Sequence, residues 1–222
     1  MKIGVIVASR KEREAFFEVF GKPTLPFLGM NNFEVSMWKL DANRSIYLIL
    51  GGVGEIASAS STQYLIDHYE VDRIINYGVV GGLSEEFSEK QVGIVSKIVH
   101  YDFDMSCSSN YKVGEYPHSG IFHTPKGQAL LIPEGENIDR FICASADKVV
   151  GAGQPKRELR QKFGADICEM EAAGIVMTCN RNGIPCTFVK AISDGVDGDL
   201  EAFEKNVHEA SRNCVELIAK FI

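Results

Sequence analysis

The sequence predicts a single α/β domain over residues 1–222, a three-layer α/β/α sandwich built on a central mixed, twisted sheet. Three observations lead there. Apolar runs rich in β-branched residues alternate along the chain with segments of helical periodicity. Two of those runs, 2–8 and 73–83, are apolar at nearly every position, as strands covered on both faces are, whereas 33–40 alternates like a half-exposed antiparallel strand. No Pro/Ser-rich linker or repeat divides the 222 residues, and 45% of them are hydrophobic, enough to bury one sizeable core.

Taken in order, KIGVIVA (2–8) is the first buried strand, and residues 12–20 form the helix after it. FEVSMWKL (33–40) and 45–50 are strands, the second ending in the turn GGVGE, which opens a helix over 56–69. RIINYGVVGGL (73–83) is again a buried strand, and QVGIVSKIVHYDFD (91–104) reads as one long strand of alternating character. RFICASAD (140–147), DICEM (166–170) and CTFVKAISD (186–194) supply further strands, with helices at 155–163 and 171–181. The last helix has the clearest signal: Leu200, Phe203, Val207, Ala210, Cys214, Leu217 and Phe221 fall on one stripe, behind Asp199 as N-cap. Residues 105–125, with their glycines, prolines, histidines and tyrosines, form the longest loop, and loops of that length are often functional.

Charge and cysteine usage narrow the partners. A formal charge of −7, with Lys and Arg scattered among acids, gives no footprint for a nucleic-acid backbone. Six cysteines without a C-x-x-C pair, several inside apolar stretches, fit a reducing cytoplasm. The apolar run at the N-terminus is too brief for a signal peptide, and no stretch approaches the roughly 20 apolar residues that span a bilayer, so no membrane partner is expected.

In an α/β sheet, ligands collect where strands end and loops begin. Four such ends are polar or glycine-rich here: SRKERE, GGVGE, GVVGGL, and the acidic pair EME and SDGVDGD. Gly52, Gly54 and Ala57 match a loose dinucleotide fingerprint, but the next strand lacks the acidic residue that grips a ribose, and a turn bringing backbone close to some other ligand fits as well. His100, Asp102 and Asp104 alternate along the strand expected at 91–104 and would share a face open to a divalent metal, although a polar strand face explains them equally. Glu12, Glu169, Glu171 and Asp194 are the strongest set, each at a strand-to-helix junction. Separately, each is explained as a solvated acid at a helix N-terminus. Together, acids around one apolar cleft suit hydrolysis through an oxocarbenium-like state: one carboxylate activates water, one protonates the leaving group, one holds sugar hydroxyls.

These segments resemble the purine nucleoside phosphorylase and uridine phosphorylase superfamily, and within it the 5'-methylthioadenosine/S-adenosylhomocysteine nucleosidases. The resemblance runs over nearly the whole chain, from MKIGVIVA with Glu12 through GGVGEIASA, NYGVVGGL and EMEAAG to VKAISDGVDGD and the last helix. It implies a nucleoside phosphorylase-like fold, a homodimer, a small-molecule nucleoside substrate and no cofactor. By the same resemblance Glu12 activates the attacking water, Glu171 holds ribose hydroxyls with Met170 beside it, and Asp194 donates a proton toward N7 of the leaving purine. The backbone at Val150 would read the adenine edge, Ser193 would orient the Asp194 carboxyl, and Glu169 would support the site or orient its turn.

Three positions depart from the family pattern. Val79 stands where a serine lines the water or phosphate side, and Lys190 where an arginine precedes the aspartate by four residues. Lysine lacks the planar fork that grips phosphate, which favours hydrolysis over phosphorolysis, although Arg10, Lys11 and Arg13 are further cations near the first junction. Val149 replaces an aromatic residue that stacks on the purine, leaving Phe103, Tyr111 or Tyr116 as substitutes, across a dimer interface if need be. A phosphorylase is the runner-up reading. A nucleoside-binding protein without turnover is a third, motivated by Val79, Lys190 and Val149.

Overall fold

Burial on both faces decides where the first strand goes. β1 (Lys2–Val7) lies between β3 (Ser45–Leu50) and β4 (Arg73–Gly82), parallel to both, with Ile3, Val5, Ile6 and Val7 sealed from solvent. The computed structural model describes residues 1–26, 32–108, 110–130 and 132–222. β2 (Glu34–Lys39) pairs antiparallel with β3 and forms the edge that the alternating pattern of 33–40 requires. β5 (Val92–His100), β6 (Asp139–Ser145), β7 (Ile167–Glu169) and β8 (Cys186–Asp194) complete an eight-stranded mixed sheet in the order β2-β3-β1-β4-β7-β6-β5-β8.

The sheet twists far enough to close on itself. β4 pairs in parallel with β8 along most of its length and antiparallel with β7 at Gly81 and Gly82, so β4, β7, β6, β5 and β8 form a ring. The β4–β8 register slips between Val80 and Gly81, opposite the end of β8. Such irregularities re-aim the side chains beside them, and this one adjoins Ser193 and Asp194.

Helices cover both faces. α1 (Arg10–Phe20) and α5 (Leu200–Phe221) pack Phe16, Ala210, Cys214, Val215 and Ile218 on Val5, Val7, Ile75, Tyr77 and Val189. α2 (Glu55–Tyr69) and α4 (Ala172–Asn182) pack Tyr64, Leu65, Ile175, Val176 and Cys179 on Ile6, Ile49, Ile74 and Phe188. α3 (Gln154–Phe163) sets Leu159 and Phe163 against Val99, Tyr101 and Ala144 at the ring's outer side. Each large side chain buried this way stabilises the fold by about 1.5–3 kcal/mol. The stripe expected on the last helix faces inward at Val207, Ala210 and Cys214, and Asp199 caps it through the amides of Glu201 and Ala202.

One expected element is shorter than the pattern suggested. The strand read over 91–104 ends at His100, where the chain turns through Tyr101 and Asp102. His100 Nε2 pairs with Asp102 Oδ1 at 2.9 Å, while Asp104 accepts from the Ser106 amide, so the two acids turn to local donors instead of sharing a strand face with His100. Among the described residues no cluster of three or more His, Cys, Asp and Glu is arranged to hold a metal ion. The loop expected at 105–125 is present as a series of turns, one residue of it, 109, lying outside the described residues.

Candidate active site

The ends of β1, β4, β7 and β8 surround a cavity of about 550 Å³. Its walls include Glu12, Val79, Val149, Val150, Glu169, Met170, Glu171, Ser193 and Asp194, nine of the ten residues that the family resemblance brings into the site, Lys190 being the tenth. Val53, Leu200 and Phe203 add apolar surface at its rim.

Glu12 is placed by a reciprocal cap. Ser9 precedes α1, and the Glu12 carboxylate turns back to accept the Ser9 amide at 3.0 Å and its hydroxyl at 2.7 Å. Its other oxygen accepts the Val79 amide at 3.0 Å, tying α1 to β4. Gly78 makes this approach possible, because a Cβ there would lie 2.7 Å from Glu12 Oε1. The side chain at Val79 contributes an apolar wall; the hydrogen bond comes from its backbone.

The turn around EME accounts for every free donor at the start of α4. Glu169 accepts the amides of Glu171 and Ala172, Ser145 Oγ accepts that of Ala173, and Glu55 accepts that of Gly174. Glu169 therefore orients the turn, and Lys190 Nζ lies 3.0 Å from its carboxylate. Lys190 itself is buried beneath the cavity and reaches it through Glu169 rather than lining it, a difference from the direct substrate contact expected of it. Glu171 accepts the Gly54 amide at 3.0 Å, and the next amide, that of Glu55, is taken by Asp147 at 2.7 Å. The helix N-terminus behind the dinucleotide-like glycines is thus occupied by two carboxylates, which satisfies its dipole without a phosphate. Gly54 adopts φ +100°, and a Cβ there would sit 2.6 Å from Asp147 Oδ1.

Burial divides the charges of this cluster. Desolvation, followed by the Glu169 charge, pushes Glu55 up to about 8, against the opposing hydrogen bonds from Ser145 and Gly174. The same two causes push Glu171 up to about 7. Burial works on Glu169 as well, but Lys190 and the hydrogen bonds outweigh it and hold this carboxylate below its ordinary value. Lys190 is in turn held protonated by Glu169 and Glu171 despite its burial.

Asp194 is gripped at both oxygens. Ser193 Oγ lies 2.5 Å from Oδ1, and Lys156 Nζ lies 2.5 Å from Oδ2. Lys156 sits in the charged run KRELRQK, which in sequence resembles a solvated helix surface. Nothing in the sequence marks Glu55, Ser145 or Asp147 as part of the site. The cations near the first junction are paired elsewhere: Arg10 and Arg13 bind the two oxygens of Glu34, holding it below the usual carboxylate range, and Lys11 pairs with Glu204. Val149 is 80% exposed at the cavity rim, while Phe103 and Tyr116 stack on each other and on His100 away from the cavity walls.

Similar proteins carry the same architecture. Aminodeoxyfutalosine nucleosidase of Helicobacter pylori is 28% identical over 95% of both chains. The 5'-methylthioadenosine/S-adenosylhomocysteine nucleosidase of Actinobacillus succinogenes is 25% identical over 98% of this chain and 96% of its own. Among solved structures, the nucleosidase of that name from Neisseria meningitidis, in complex with methylthio-immucillin-A, superposes with a TM-score of 0.86 at 25% identity, covering 99% of this chain and 97% of that one. The sequence profile of the Phosphorylase superfamily matches residues 2–222, and the chain belongs to that superfamily.

Proposed function

We propose that this protein is a nucleosidase that hydrolyses the N-glycosidic bond of adenine nucleosides such as 5'-methylthioadenosine or S-adenosylhomocysteine, releasing adenine. The observation that carries this reading is the meeting of Glu12, Glu171 and Asp194 around one cavity whose neighbouring cations are already paired with carboxylates. Glu12 takes a proton from water as its oxygen bonds to C1'. The C1'–N9 bond breaks, its electron pair leaves with adenine, and Asp194 delivers a proton to N7. Glu171, with Met170 beside it, holds the ribose hydroxyls, and its negative charge stabilises the positive charge growing on the sugar. The Val150 backbone reads the purine edge.

Phosphorolysis would place a dianion among acids near Glu12. Arg10 and Arg13 are bound to Glu34 and Lys190 to Glu169, which leaves hydrolysis the better reading. Two copies are proposed to associate, Val53 and Ile56 at the start of α2 being exposed apolar side chains, and sedimentation of the purified chain checks this. The cytoplasm is the proposed compartment, in keeping with six free cysteines, five of them buried. Among the described residues no helix is long and apolar enough to cross a membrane.

The test is product analysis with 5'-methylthioadenosine, S-adenosylhomocysteine and aminodeoxyfutalosine, with and without phosphate. Adenine plus the free sugar, at a rate indifferent to phosphate, is the expected result. A sugar 1-phosphate product overturns hydrolysis in favour of phosphorolysis; tight binding without adenine release overturns catalysis.

A further inference from the structure

Lys156 projects from α3 toward the end of β8 and is 1% exposed. A lysine has three N–H donors, and Nζ finds three acceptors: Asp194 Oδ2 at 2.5 Å, the Gly195 carbonyl at 2.6 Å and the Gly198 carbonyl at 3.4 Å. The head group is thus fixed by the β8–α5 connection as well as by the carboxylate.

The other carboxylate oxygen faces a different kind of partner. Ser193 Oγ has one proton but two acceptors within reach, the Val80 carbonyl at 3.1 Å and Asp194 Oδ1 at 2.5 Å. When Oδ1 carries a proton for the purine, the Ser193 hydroxyl points at the Val80 carbonyl. When Oδ1 is ionised the same hydroxyl turns to it. An ammonium offers no lone pair, so Oδ2 has no equivalent pair of states.

We infer that Lys156 is a positioning residue for the leaving-group acid: by fixing Oδ2 it leaves Oδ1 as the oxygen that carries the proton to the purine. This rests on the reading of Asp194 as the acid that protonates N7. In the step itself the Oδ1–H bond breaks as the N7–H bond forms, the C1'–N9 electron pair leaves with adenine, and the Ser193 hydroxyl swings from Val80 to the new carboxylate. Lys156 keeps its protons throughout.

A substrate that needs no leaving-group proton isolates this role. The 4-nitrophenyl glycoside of the same sugar departs as a stable anion, so its hydrolysis reports the cavity and Glu12 without the acid. Lys156→Met is expected to lower kcat on 5'-methylthioadenosine by about 100-fold with little change in KM, the size of effect expected when a reacting group is misplaced by an ångström. The aryl glycoside is expected to stay within about threefold of wild type, which also certifies the fold, and Asp194→Asn gives the same pattern. Lys156→Arg restores the charge and is expected to recover part of the nucleoside activity. Unchanged nucleoside turnover in Lys156→Met, or an equal fall on both substrates, overturns the inference. A wild-type protein that cleaves the aryl glycoside but releases no adenine refutes the functional reading instead. A crystal structure of Lys156→Met then decides the geometry alone, an unmoved Asp194 carboxyl counting against the inference and a rotated one for it.

Discussion

Glu55→Gln tests the charge division beneath the cavity. Glu55 is 8% exposed and is pushed from 4.5 to about 8 by burial and by the neighbouring Glu169 charge. Between those two pH values the folded chain holds a proton that the unfolded chain has released. Stability from this group is therefore fully present below pH 4.5 and is lost as pH rises to about 8. At about 1.4 kcal/mol per pH unit, that window corresponds to a loss of about 5 kcal/mol for Glu55 alone. Glutamine copies the neutral acid in size and cannot ionise, so the variant is expected to match wild type near pH 5 and to exceed it in stability at pH 9. Denaturant unfolding at a series of pH values, wild type beside variant, measures the difference. Parallel pH profiles for the two proteins would show that Glu55 does not carry the proton, and the division of charge argued above would fall.

Two further outcomes follow from contacts at the cavity. Gly78→Ala places a Cβ where Glu12 Oε1 now lies 2.7 Å away, so the carboxylate must shift and loosen its bond to the Val79 amide. Steady-state kinetics should show kcat falling by about 100-fold while circular dichroism leaves the fold intact. Val149→Phe adds a ring to a rim side chain that is 80% exposed, and direct binding of adenine should tighten by about 0.5–1.5 kcal/mol, roughly two- to tenfold, if this position faces the purine.

How much of this was legible before the structure depends on whether a residue's role is local. Glu12 announces itself through Ser9 three residues earlier, and Glu169 and Glu171 through the small-residue helix that follows them, all within one turn of chain. The elements themselves follow from hydrophobic period, and the most displaced end, at His100, fell where alternation of polar residues continued past the last ladder bond. Lys156 and Glu55 were not legible in this way. Lys156 meets Asp194 across 38 positions, and Glu55 meets Gly174 across 119. In each case the sequence shows only a charged residue near a helix start, for which solvent is the ordinary explanation. The closure of β4 against both β7 and β8 brings those ends together, and no pattern along a single strand encodes that closure.

The same closure explains why a site rich in acids tolerates its own charge. Two buried lysines each take one carboxylate: Lys190 holds Glu169 at 3.0 Å and Lys156 holds Asp194 at 2.5 Å. Glu55 avoids repulsion differently, by keeping its proton up to about pH 8. That leaves Glu12, satisfied by two amides and a hydroxyl, and Glu171, poised near 7, as the acids whose charge faces the cavity without a cation of their own. On the proposed function, a neutral nucleoside gains little from them in its ground state. As the glycosidic bond lengthens and the sugar becomes cationic, both are already in place, and the lysines that would cancel them are fixed to other partners. Differential stabilisation of this kind, stronger toward the transition state than toward the substrate, is what lowers a barrier.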